Sequence, residues 1–215
     1  MLPILPLKTV CLPGEVLTVT LTEERYIQLV QRCIKHAGEL AVVLCTDYEN
    51  ELETLKTVGC QVQITHHEMC SSGYLQIKVL GQKRFSFTQI EQKLGVFYAA
   101  QVDVLEDVKD IPGTHTLFLE VSETYQTYLQ KLKNYDAALL PDEIIQGISY
   151  ADIDHILSGV TLSLEKKQQG LATNSIKKRL ELTLSCLHSE LDMLDFVIER
   201  SVDEQKVQTP LSSLN

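Results

Sequence analysis

Residues 59–87, GCQVQITHHEMCSSGYLQIKVLGQKRFSF, carry the reading that decides the fold. Apolar side chains alternate with polar ones at Val62 and Ile64, and again at Leu75, Ile77 and Val79. A period of two places each set on one face of an extended backbone, which predicts strands over 60–69 and 74–80. Between them Cys70-Ser71-Ser72-Gly73 has the composition of a tight connection and makes the pair a β-hairpin. Further strands are expected over 83–88 and 97–105.

Working outward toward the N-terminus, 4–10 reads as a first extended segment, with Pro3 and Pro6 marking an edge or opening strand. Pro13-Gly14 is a turn, and Val and Leu alternate with Thr over 16–21 in a second strand. Thr22 is expected to cap a helix that Glu23 and Glu24 open and that Gly38 ends behind Lys35 and His36. Its apolar face is read as Tyr26, Ile27, Val30, Ile34 and Ala37. The unbroken apolar run 40–45 predicts a strand buried on both faces, and the acid-rich 46–57 reads as a loop. Several short strands with one helix imply a small closed or half-closed barrel over residues 1–112.

The pattern changes at 106–113, a charged stretch closed by Pro112-Gly113. Beyond it, residues 113–215 read as a helical bundle. Leu117, Val121, Tyr125, Tyr128 and Leu132 line one face of a helix over 114–134. Ser149 with Asp152 forms a capping box for a short helix that Gly159 ends. Another short helix covers 163–172, and Thr173-Asn174-Ser175 opens the longest, over 176–204, before a frayed tail at 209–215. In that last helix Leu180, Leu184, Leu187, Leu191, Leu194 and Ile198 step by four and three alternately. Such a seam serves a helix packing inside its own bundle or a homodimer built through the C-terminal helix.

The 215 residues carry a net charge of −10, divided almost evenly between the two halves. That balance argues against nucleic acid as a partner, because phosphate neutralisation needs clustered Lys and Arg. Lys83-Arg84 and Lys177-Lys178-Arg179 are the basic clusters present, each with acids close by. The apolar opening lacks a basic leader and is broken by two prolines, and no apolar run is long enough to span a membrane. Six cysteines without a C-x-x-C pair read as reduced, mostly buried thiols, so the expected compartment is the cytoplasm.

Catalytic chemistry finds little support. A phosphate-cradling loop ends in Gly-Lys, and no Gly here is followed by Lys. His66, His67, Glu68 and Cys70 form the one cluster resembling a metal site. On a strand, however, His66 and Glu68 share one face and His67 takes the other, while zinc needs three or four convergent ligands. No flanking signature marks a cysteine as an activated nucleophile. The expectation is no catalytic residue, no metal ligand and no cofactor.

The order of motifs resembles the substrate-recognition domain at the N-terminus of Lon proteases, in its free-standing bacterial form. The resemblance rests on the opening Leu2-Pro3-Ile4-Leu5-Pro6-Leu7, Pro13-Gly14, and Glu24-Arg25-Tyr26 followed by Leu29-Val30 and Cys33. It continues through Gly59-Cys60, Gly81 with Arg84-Phe85, the run 162–168 and Ile176-Lys177-Lys178-Arg179-Leu180. It implies an α+β fold, a PUA-like β pseudo-barrel followed by a C-terminal helical bundle ending in a long helix. It further implies recognition of unfolded or extended polypeptide, served by a separate protease or ATPase, since neither activity can be carried onto this sequence. The expected function is therefore a non-enzymatic recognition module. The alternative is a small-molecule or nucleotide-like ligand site in the β domain. For the peptide reading, the candidate contacts are His67, Met69 and Tyr74, apolar, aromatic and polar groups at the hairpin end.

Overall fold

A computed structural model describes residues 1–71, 73–93, 97–108, 112–136, 138, 140 and 148–207. Eight strands are seen among them: β1 (Leu2–Leu7), β2 (Val16–Leu21), β3 (Glu39–Cys45), β4 (Leu55–Met69), β5 (Leu75–Ser86), β6 (Ile90–Lys93), β7 (Phe97–Ala100) and β8 (Asp103–Val104). They form one sheet in the order β2-β5-β4-β3-β1-β7-β6, with β8 pairing to the far end of β5. β1 and β3 run parallel and the other pairs run antiparallel. The helices are α1 (Glu24–Lys35), α2 (Glu51–Thr54), α3 (Thr114–Tyr135), α4 (Ile153–Ser158), α5 (Leu164–Ala172) and α6 (Ile176–Val207). This is the α+β architecture that the motif order implies, with the long helix last.

β3 shows why its sequence is apolar throughout. Leu40, Val42 and Leu44 join the main core, while Ala41 and Val43 join a second cluster with Ile4, Phe85, Phe87 and Ala100. A strand buried on both faces has no polar side to present. Two glycines follow from the same crowding. A Cβ on Gly59 would lie 2.6 Å from the Val42 carbonyl oxygen and 2.7 Å from the Phe85 ring, and one on Gly81 would collide with the Leu12 backbone.

The helical half rests on a pairing within the chain. Tyr128 Oη donates to Glu190 (3.3 Å) and Lys131 to Asp195 (2.6 Å), pairs 62 and 64 residues apart, so α3 and α6 run side by side in the same direction. Leu180, Leu187 and Leu194 are buried between them and their neighbours, and Leu184, Leu191 and Ile198 pack on the same core. The four-three stripe is thus spent inside the chain. The short helices begin as their sequences require. The Asp152 carboxylate accepts from both the N–H and the hydroxyl of Ser149 (2.7 Å each), and the Ser163 hydroxyl accepts from the Lys166 N–H (3.3 Å).

Several expectations are corrected. Strand β1 is Leu2–Leu7, shifted toward the N-terminus from 4–10. Glu23, not Thr22, stands at the N-cap of α1, without a side-chain bond to the helix. The buried face of α1 includes Leu29 and Cys33, whereas Ala37 is exposed. The acid-rich 46–57 holds α2 and the start of β4, because Asp47 and Asn50 carbonyls and the Thr54 hydroxyl close a local turn. Segment 83–88 is no separate strand, since a register shift between Gln61 and Val62 lets β5 run on to Ser86. Segment 97–105 splits into β7 and β8, and β6 was not expected. The expected tail at 209–215 lies outside the described residues.

Candidate polypeptide-binding surface

The β4–β5 hairpin reaches past β3, whose pairing with β4 begins at Glu39 opposite Gln63, while β2 accompanies β5 to Leu21 opposite Leu75. Residues 65–69 of β4 are all exposed. His67 and Met69 stand opposite Ile77 and Leu75, whose side chains enter the main core. They therefore extend the inner face of the sheet onto ground that no helix covers. His66 and Glu68, opposite Lys78 and Gln76, occupy the other face. The turn closes when Cys70 N–H donates to the Tyr74 carbonyl (2.8 Å), and Gly73 supplies the left-handed backbone at φ +84°. Met69 (49% exposed) and Tyr74 (45%) flank that turn. The structure thus places the three sequence-predicted residues together at one hairpin end.

Beside the hairpin lies a sheet edge. Among the described residues β2 pairs with β5 alone, from Val16 opposite Leu80 to Leu21 opposite Leu75. Gly81 N–H donates to the Glu15 carbonyl (2.9 Å), and antiparallel ladders alternate. The N–H and C=O groups of Val16, Thr18 and Thr20 therefore point away from β5. Among the described residues none of these groups meets a hydrogen-bond partner. The side chains of the same three residues are exposed, Val16 at 59%. Sequence alternation located β2 but could not show that it ends the sheet.

A groove of about 410 Å³ opens where α1 faces the start of β1 and β7. Leu29 and Cys33, one helical turn apart, make its floor with Leu2 and Pro3. Burial pushes the Cys33 thiol up to about 11, so it stays protonated at neutral pH. Arg32 and His36, also one turn apart, stand exposed above, the Arg32 guanidinium 5.7 Å from the Phe97 ring centroid. The far wall joins the hairpin base: Gln63 Nε2 donates to the Ala37 carbonyl (3.1 Å) and Ile64 N–H to that of Gly38 (2.8 Å). Sequence reading missed this site because the apolar face it drew, Tyr26, Ile27, Val30, Ile34 and Ala37, left out Leu29 and Cys33. The i, i+4 pairs Leu29–Cys33 and Arg32–His36 were the available signal.

A second recess, about 290 Å³, is polar and lies around Tyr48, Tyr98, Glu49 and Glu53. The buried Glu51 carboxylate there is already engaged, receiving both Arg25 terminal nitrogens (3.0 and 2.6 Å) and the Tyr26 hydroxyl.

The sheet and helices are locked by buried charge. Arg84 on β5 donates to the carbonyls of Leu171 (3.1 Å) and Thr173 (2.6 Å) and to Asp107. Arg179 on α6 grips both oxygens of Asp154 (2.7 Å each) and reaches the same Asp107 oxygen at 2.5 Å. Both arginines are buried, at 5% and 2% exposure, so neither basic cluster of the sequence is a basic surface patch. Lys167–Glu15 (2.7 Å), Gln168–Val58 (3.1 Å) and His155–Gly14 (3.1 Å) complete the seam.

The family model described as the ATP-dependent protease La (LON) substrate-binding domain matches residues 1–189. The chain belongs to this family. Among curated relatives, Lon protease of Anaeromyxobacter dehalogenans is 25% identical over 201 residues, covering 90% of this chain and 24% of that protein. Lon protease of Escherichia coli K12 is 22% identical over 203 residues, with 90% and 25% covered. The chain thus spans about a quarter of the length of the Lon proteases it matches. Among solved structures, the N-terminal domain of the Mycobacterium avium complex Lon protease superposes with a TM-score of 0.68 at 17% identity, covering 87% of this chain and 97% of that one. The Lon N-terminal domain protein of Xanthomonas campestris gives 0.60 at 22% identity, covering 86% and 96%. At such identities the likeness is one of fold.

Proposed function

We propose that this chain is a non-catalytic polypeptide-recognition module, acting in the cytoplasm and serving a separate protease or ATPase. In this reading residues 1–112 hold an extended or unfolded chain and residues 113–215 brace them. The observation that carries it is the open edge of β2, whose three outward residues each offer an N–H and a C=O to an extended backbone. Each such bond contributes only ~1 kcal/mol net, and ordering the bound chain costs several. Strand addition alone would be weak. Met69, Tyr74 and His67 at the neighbouring hairpin end, and the groove beyond the hairpin base, supply the side-chain contacts that make up the difference.

The small-molecule alternative calls for a recess lined by aromatics and closed to a peptide. The α1 groove carries one aromatic ring, Phe97, and the polar recess, with Tyr48 and Tyr98, has its buried carboxylate already engaged by Arg25 and Tyr26. Both observations favour polypeptide.

Fluorescence anisotropy tests the reading. A labelled, permanently unfolded protein should bind saturably, while its folded form and a labelled RNA should not. Thr18→Pro removes one outward N–H and leaves the β2–β5 ladder intact, so it should weaken binding about tenfold without altering the melting temperature. Equal binding of folded and unfolded forms would overturn the proposal.

A further inference from the structure

From the groove between α1 and the start of β1 and β7, we infer a site for the carboxyl terminus of a bound polypeptide whose last side chain is apolar. The inference rests on the polypeptide-recognition reading and assigns one end of the ligand.

The argument starts from the two rows that α1 presents. Leu29 and Cys33 are buried and offer apolar surface at the bottom. Arg32 and His36 stand over them on the neighbouring row, one turn apart. Among the described residues Arg32 makes no ion pair; its guanidinium lies against the Phe97 ring instead. A ring face attracts the cation without accepting from its N–H donors, which stay available for a carboxylate, a group they match in a two-point fork. Glu39, a carboxylate that also lines the groove, accepts one hydrogen bond from Gln61 Nε2 at 3.1 Å.

The groove thus sets a cation that makes no ion pair among the described residues beside an apolar floor. It is complementary to a ligand that brings a negative charge and an apolar group within a few ångströms of each other. The last residue of a polypeptide carries both on one Cα. The volume, about 410 Å³, holds a side chain or two and no folded domain. The groove also adjoins the hairpin base through Gln63 and Ile64, so a chain anchored here continues toward the exposed hairpin.

The test uses the intact chain and a fluorescein-labelled Gly/Ser peptide ending in Leu-Leu. Three forms are titrated: free acid, C-terminal amide, and an amide with Glu placed before Leu-Leu. An unfolded protein is titrated in parallel. The free acid should bind about tenfold tighter than either amide, the increment of one charge-assisted contact. Arg32→Gln, an exposed position, should bring the free acid down to the amide level with an unchanged circular dichroism spectrum. If acid and plain amide bind alike while the unfolded protein still binds, the groove assignment fails and the polypeptide reading stands. An acidic amide as tight as the free acid overturns the terminal assignment in favour of acidic side chains. Silence from all four ligands overturns both readings.

Discussion

At the scale of single residues, the seam between sheet and helices is a set of buried charges. Burial pushes the Asp154 carboxyl above its ordinary range even with Arg179 and Arg84 beside it, so the attraction does not fully repay the lost hydration. The group is better described as a positioning device than as a source of stability. Removing one partner is nevertheless costly, because the other is left buried and charged. Arg179→Ala should lower unfolding free energy by ~3–5 kcal/mol, and Arg179→Met with Asp154→Leu should recover much of that loss. Denaturant titration of the single and double variants checks it, and strictly additive losses would show that the pair is uncoupled. None of this was legible in the sequence. Arg84 and Arg179 drew notice as members of basic clusters and of motifs carrying the resemblance. Their partners lie 23 and 25 residues away along the chain in Asp107 and Asp154, with no local pattern to announce them.

At the scale of elements, what could be read was whatever a local period dictates. The β4–β5 hairpin followed from alternation, β3 from its unbroken apolar run, and α3 and α6 from helical spacing. The starts at Ser149 and Ser163 followed from side chains that bond their own helices. The missed elements are those that long-range pairing creates. β6 and the first turn of β4 have no alternation of their own and exist because β7, β3 and α2 receive them. The stripe of α6 was legible as a seam, but its partner was not. The structure gives that partner as α3 in the same chain. Leu187, fully buried, should therefore cost ~2–5 kcal/mol as Leu187→Ala, read as a lower melting temperature. If Leu187→Ala instead keeps full stability and loses a dimer on sizing, the stripe belongs to an interface between copies.

At the scale of the whole molecule, the candidate surface is a product of the sheet order. Ending the sheet at β2 leaves backbone groups open, and turning β4 into β5 just beyond Leu21 sets Met69 and Tyr74 near that edge. The exposed position of His67, Met69 and Tyr74 at the hairpin end could be read from sequence, because the turn and the alternation on either side of it are local. The β2 edge and the α1 groove could not, since each depends on what fails to pack there. The chain's place in the Lon substrate-binding family agrees with a surface built for other polypeptides. The most direct measurement is amide hydrogen exchange of the chain alone and saturated with an unfolded protein. The account predicts that Val16, Thr18 and Thr20, which exchange freely in the unbound chain, become protected on binding. Tight binding with protection elsewhere and none on β2 would contradict it.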